Sequence, residues 1–211
     1  IDVRVGIIGT GGRGTGVKLL ALDTATERCS VALWLSGELL WREASAARGH
    51  GDHILELIDA VLAEAGLSLG ALDAIAFGRG PGAFTGVRLA ASITQGLAFS
   101  AGLPVLPVSD LRAVAQQAIG AEPDIHRVLV CHDARVSEVY WGGFERQAGH
   151  AQAAVIEGMA RPERLGDLAR TWLGGGPAAG AGSGFALYPQ LGTALGVSLH
   201  PLLPGLRPHA R

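Results

Sequence analysis

Three groups of residues have types and spacings that could do chemistry. The first joins Asp23 and Thr24, at the end of the apolar run Leu19–Leu22, to the stretch Gly78-Arg79-Gly80-Pro81-Gly82-Ala83-Phe84-Thr85-Gly86-Val87-Arg88. An aspartate at a strand end can hold a metal ion or a water. A glycine-rich loop running into a helix offers backbone N–H groups and a positive helix end to an anion. The loop lacks the lysine and the adjoining Ser or Thr that a Walker A loop uses for phosphate and magnesium. A tight turn that lets the next helix pack closely explains the same glycines, and on the residues alone both readings stand. For Asp23 the simpler reading is a carboxylate bonding to its own turn, because the supporting phosphate chemistry is missing.

The second group is His50 and His53, three apart at the start of a helical pattern. No further Asp or Glu forms an evident third ligand, so no metal is expected and solvated histidines are the better reading. The third is Asp133, Arg135 and Glu138, which a charged hairpin turn explains without catalysis. Near the N-terminus, Gly9, Gly11 and Gly14 match the dinucleotide pattern G-x-G-x-x-G. The segment that follows, Gly16 to Asp23, reads as a strand where that motif requires a helix, so no nicotinamide cofactor is expected. A peptidase finds no Ser, His and Asp set and no H-E-x-x-H helix. Cys29 and Cys131 form no CxxC pair and read as small buried apolar residues.

These groups need a scaffold, and the composition allows one. The chain has 211 residues, 48% of them hydrophobic, with a formal net charge of −2. That is enough apolar material for two small domains, and it provides no basic field for holding a polynucleotide alone. The uncharged run from Leu89 to Ser109 is interrupted by Gly96, Gly102, Pro104 and Pro107, too often for a helix spanning a bilayer. No leader peptide is visible, and a soluble cytoplasmic protein is the expectation.

Strands are expected over 18–23, 28–35, 38–44, 73–78 and 103–108, with a hairpin turn at Ser36-Gly37. Helices are expected over 52–65, where Ile54, Leu55, Leu57, Ile58, Val61 and Leu62 recur at helical spacing, over 85–101, and over 110–119 after the N-cap Ser109. A break at 120–123 precedes strands over 127–132, 138–145 and 152–156, a helix over 162–170 that opens on proline, and a glycine-rich loop over 173–184. Periodicity by itself gives an α/β class. The expected division is an extension over 1–16, a first domain over 17–120 and a second over 121–211.

Leu20-Ala21-Leu22-Asp23-Thr24-Ala25 followed by the eleven-residue loop 78–88 resembles the signature of the TsaB (YeaZ) family. Asp133-Ala134-Arg135 with Glu138-Val139-Tyr140-Trp141, and Gly182-Ser183-Gly184-Phe185 with Tyr188-Pro189, are similar to that family's later motifs. The resemblance runs from Val17 to about Leu191 and implies an RNase H-like first domain of the actin-like ATPase (ASKHA) group, with a mixed sheet. It further implies a smaller related α/β second domain, which here looks truncated before its final helix.

The resemblance also implies a function. Family members are degenerate relatives of TsaD and serve, with TsaD and the ATPase TsaE, in placing threonylcarbamoyl on the tRNA adenosine next to the anticodon. The expectation is therefore a non-catalytic subunit that heterodimerises with and activates a TsaD-type protein, joins a TsaE-type ATPase, homodimerises when alone and meets tRNA only indirectly. An independent ATPase or peptidase of the same fold is the alternative. Asp23, Thr24, Gly78, Arg79, Gly80, Pro81, Gly82, Thr85 and Gly86 then form a degenerate phosphate-loop region. Ile54, Leu57, Ile58 and Val61 of one helix, with Gly86, Leu89, Ala90, Ile93, Thr94 and Leu97 of the next, are the candidate partner surface. The small residues Gly86, Ala90, Thr94 and Ala98 are spaced four apart and allow close helix approach.

Overall fold

The computed structural model describes residues 16–45 and 50–210. The chain divides into two units, one ending at Val108 and taking back His209 and Ala210, the other spanning Ser109–Pro208.

The first unit opens with three antiparallel strands, β1 (Lys18–Asp23), β2 (Arg28–Leu35) and β3 (Glu38–Ser45). Ser36 and Gly37 both take positive φ, 52° and 115°, and so close the β2–β3 hairpin with the two-residue turn whose twist matches the strands. Helix α1 (His50–Ala65) follows, and its end is a Schellman motif: Gly66 has φ 64°, its N–H bonds Ala63 O, and Leu67 N–H bonds Leu62 O. Strand β4 (Ala74–Gly78), helix α2 (Phe84–Ala101) and strand β5 (Val105–Val108) complete the sheet, in the order β3-β2-β1-β4-β5, with β4 parallel to β1 and β5 parallel to β4. This is the RNase H-like arrangement.

Alternation along the strands gives the sheet two faces. Leu20, Leu22, Val31, Leu33 and Ile75 point to the helices, where Ile54, Ile58 and Val61 of α1 meet them. Each such side chain stabilises the fold by about 1.5–3 kcal/mol through burial. The opposite face carries Ala21, Ala32 and Ala76, on which Ala210 packs, its N–H donated to Ser30 Oγ at 3.0 Å.

The second unit begins with α3 (Asp110–Ala121), capped by Ser109 Oγ accepting Arg112 N–H at 3.1 Å. Grouping α3 here moves the boundary ahead of the expected break at 120. Leu111, Val114, Ala118 and Ile119 pack on Val128, Val130 and Phe144, so composition marks the end of the helix and packing decides its owner. Next come β6 (Arg127–Asp133), β7 (Val139–Gln147), β8 (His150–Ala153), β9 (Gly158–Ala160), α4 (Leu165–Leu173), β10 (Ala179–Ala181), α5 (Gly184–Leu187), α6 (Gln190–Ala194) and β11 (Leu202–Leu203). The sheet order β11-β10-β6-β7-β8 repeats the first unit's topology: antiparallel β6-β7-β8, then β10 and β11 parallel to β6.

Two local expectations change. Of the strand expected over 152–156 only 152–153 form one, as the end of β8; residues 154–157 are not strand, and β9 follows, pairing with a different stretch of β7. Between them Ala154 N–H and Val155 N–H both go to Gly143 O, a bulge that breaks the ladder. Inside the expected glycine loop lies β10, wholly buried, whose Ala-Gly-Ala sequence has no large side chain to reveal a strand. Among the described residues no helix is long and apolar enough to cross a membrane.

Candidate functional site

Parallel β1 and β4 lie side by side where the strand order of the first sheet reverses, and their carboxyl ends carry the first group of sequence candidates. Ligands of open α/β sheets bind at such a place. Here it is filled by the chain itself. Asp23 is 2% exposed and its Oδ1 accepts Ala25 N–H at 2.8 Å, the turn bond that the sequence favours. Thr24, fully buried, donates its hydroxyl to Gly86 O at 2.7 Å. Ala25 O in turn accepts Ala83 N–H at 2.7 Å, and Arg79 N–H goes to Val108 O at 2.8 Å.

The glycines of the loop are there for contact. A Cβ on Gly82 would lie 2.6 Å from Ala25 O, and one on Gly86 would lie 1.9 Å from Thr24 O. The loop therefore brings the first turn of α2 backbone-to-backbone against the end of β1. Gly78 and Gly80 are buried in the same turn, Pro81 is partly covered, and Arg79 and Thr85 face solvent. Two loop N–H groups that a phosphate would use, on Arg79 and Ala83, are already bonded to protein carbonyls. Of the two readings the sequence leaves open, this geometry favours the packing one. Cys29, close enough to feel the Asp23 charge, has its thiol pushed up to about 11, mainly by burial and then by that carboxylate.

In the second unit the carboxyl ends of the adjacent parallel strands β6 and β10 form the matching place. His132 Nδ1 lies 3.0 Å from Ser183 Oγ, and that oxygen also accepts Asp133 N–H at 3.2 Å. Asp133 Oδ1 accepts Tyr188 OH at 2.6 Å and Arg135 N–H at 2.9 Å. The bond to Asp133, with burial, raises the Tyr188 phenol to about 12. Ser183 is 9% exposed, and its oxygen ties β10 to β6. Arg135 and Ser137 adopt left-handed φ of 71° and 58° in the hairpin, and Ala134 N–H bonds Glu138 O. These are turn bonds; the sequence set Ser183 in the motif 182–185 and His132 at a strand end, with nothing to pair the two. Only the pairing of β6 with the unrecognised β10 brings them together. Cys131 is buried, and burial pushes its thiol above the usual range, the setting of a structural cysteine.

His53 Nδ1 lies 3.6 Å from Glu56, the His50 side chain is outside the described residues, and among those described no three His, Cys, Asp or Glu gather as a metal would require. Gly9, Gly11 and Gly14 also lie outside them.

The candidate partner surface is sorted by burial. Ile54, Ile58 and Val61 are used by the unit's own core, and Gly86, Ala90 and Thr94 face its own sheet. The small-residue row thus serves close packing of α2 within its own unit, not approach by another chain. Spacing alone does not say which side of an uncharged helix faces in. Leu57, Ile93 and Leu97 are half-buried and pack against the same core, and Leu89 is half-buried. Beside them the outer surface of the two helices shows Leu55 at 48%, Phe84 at 70% and Phe99 at 91%, none of them among the expected surface residues.

The first unit is thus of the RNase H-like class, with its glycine loop packed backbone-to-backbone on the end of β1. Residues 44–187 match the family model for TsaD, tRNA N6-adenosine threonylcarbamoyltransferase. The tRNA threonylcarbamoyladenosine biosynthesis protein TsaB of Escherichia coli is 39% identical over 188 residues, 87% of this chain and 78% of that one. The Haemophilus influenzae protein of the same name is 52% identical over 132 residues, 61% of this chain and about half, 54%, of its own length. The solved structure of YeaZ from Pseudomonas aeruginosa superposes with a TM-score of 0.82 at 43% identity, covering 92% of this chain and 87% of that one. The chain belongs to the TsaB family of tRNA threonylcarbamoyladenosine biosynthesis proteins.

Proposed function

We propose that this chain is a non-catalytic subunit of the cytoplasmic machinery that threonylcarbamoylates the adenosine next to the anticodon in tRNA. It acts by heterodimerising with a TsaD-type transferase and holding it in its active arrangement. A TsaE-type ATPase completes the assembly, tRNA is met through the partners, and the chain homodimerises when alone. The observation that carries the reading is the closed crevice of the first unit. Thr24 and Ala25 spend their polar groups on the loop 78–86, and Gly86 leaves no room beside Thr24 O for anything else. A chain of this family with such a crevice has its surface left to work with. The outer face of α1 and α2, with Leu55, Leu89 and Phe99, is the proposed contact.

The test is light scattering on a sizing column, with the chain alone and mixed with the TsaD-type protein of the same organism. A one-to-one complex, lost in Leu55→Glu while the fold is kept, is the expected result. Absence of a complex at micromolar concentrations of both proteins would overturn the reading. ATP turnover by the chain alone, abolished by Asp23→Ala, would establish the competing enzyme reading instead.

A further inference from the structure

Between α2 and the edge strand β5 of the first unit lies a cavity of about 460 Å³. Small-molecule sites run from about 300 to 1,000 Å³, whereas one water needs about 30 Å³. Small residues of α2, Ala91 and Ala98, leave this space, and the rings of Phe77 from β4 and Phe99 from α2 wall it. One polar group of the wall has no partner. Thr94 is 1% exposed and its Oγ1 makes no hydrogen bond. A threonine inside a helix can return its hydroxyl to a carbonyl one turn back, and Thr94 does not. A buried hydroxyl without a partner is uncommon, and this one borders a space large enough to hold the missing group.

The lining narrows the occupant. None of the residues around the cavity is charged, so a charged group would be desolvated there without a counter-ion. Aromatic side chains on both the strand and the helix suit a ring. The backbone of β5 argues against an extended peptide. Ile75 N–H goes to Pro104 O and Arg79 N–H to Val108 O, so Val105 and Pro107 are the residues that turn their backbone groups away from β4. Pro107 has no N–H to give, and a strand added along this edge would lack that ladder bond.

We infer that this cavity is a binding site for a small neutral molecule, an aromatic ring carrying one hydrogen-bonding substituent. The ring lies among Phe77, Ala91 and Phe99, and the substituent meets the Thr94 hydroxyl, which can donate or accept. The exposed Gln95 amide stands at the rim, where a second polar group of the ligand would reach it. The site is independent of the heterodimer proposed above, since of its lining only Phe99 belongs to the proposed contact.

Amide NMR of the full chain, titrated with phenol and with benzene, tests this. Phenol should shift the amides of residues 91–105 saturably, with a Kd on the order of 1 mM or tighter, and benzene should bind the same place more weakly. Thr94→Val keeps the shape and removes the hydroxyl. It should weaken phenol about five- to tenfold and leave benzene unchanged, with amide shifts elsewhere showing that the fold is kept. Ala91→Leu fills the space and should abolish binding of both probes. Phenol shifts that are absent, or that spread over the surface without saturating, would overturn the inference. So would equal phenol affinity in the wild type and Thr94→Val, the result expected of adventitious apolar binding only.

Discussion

Replacing Gly86 by alanine tests how the first unit is built. The added Cβ would lie 1.9 Å from Thr24 O and 2.9 Å from Thr24 C, both backbone atoms that cannot rotate away. Restoring a normal contact of roughly 3.2 Å requires α2 to retreat from β1 by more than an ångström, in an interior packed like a crystal. Overpacking of this kind costs about 1–3 kcal/mol. The retreat also stretches the buried bond from Thr24 Oγ1 to Gly86 O, now 2.7 Å, and an unsatisfied buried group costs about 1–3 kcal/mol more. The sum, about 2–6 kcal/mol, is a large part of the stability of an ordinary domain. Urea unfolding followed by tryptophan fluorescence is a suitable assay, because Trp34 and Trp41 report the first unit and Trp141 and Trp172 the second. The expected result is an earlier transition of the first unit with the second unmoved. A Gly86→Ala protein with wild-type midpoints would refute the claim that this loop exists to seat α2 on β1.

Other outcomes follow from the same geometry. Asp23→Asn keeps an acceptor for Ala25 N–H and should support threonylcarbamoylation in a reconstituted system at the wild-type level, whereas loss of activity in a folded Asp23→Asn protein would point to a charged catalytic role. Tyr188, held protonated by Asp133, should titrate near 12 in absorbance at 295 nm and return toward the ordinary tyrosine range in Asp133→Asn. Because its folded-state pKa is raised, the stabilisation from that bond is complete below pH 10 and is lost as pH climbs from 10 towards 12. Arg146 binds Ile119 O, Glu122 O and Ile125 O at the end of α3. Arg146→Met should therefore cost about 2–3 kcal/mol in the second unit's urea transition, with no change in the first.

Much of this architecture can be read from residue order. Alternating apolar residues mark β1 and β2, Ser36-Gly37 marks their hairpin partner, and Ser109 marks the start of α3, because each signal is local. Where the signal is not local the sequence is silent. Ala179–Ala181 is a strand because β6 and β11 flank it, not because of its own side chains. The owner of α3 is decided by Phe144 and Val128, distant in sequence. The row Gly86, Ala90, Thr94 was visible as a close-packing device, yet its direction depends on Thr24 O, which only the β1–β4 pairing puts in place. The surface left over, Leu55, Gly96 and Phe99, could not be separated from the core by pattern, since every residue from Leu89 to Ala101 is uncharged.

The most direct test of the central claim is a reconstituted modification assay with purified TsaD-type and TsaE-type proteins, tRNA and the threonylcarbamoyl donor. The account predicts that modified adenosine forms only when this chain is added, saturates at one chain per transferase, and persists with Asp23→Asn. Modification at full rate without the chain, or threonylcarbamoyl transfer or ATP turnover by the chain alone, would contradict it.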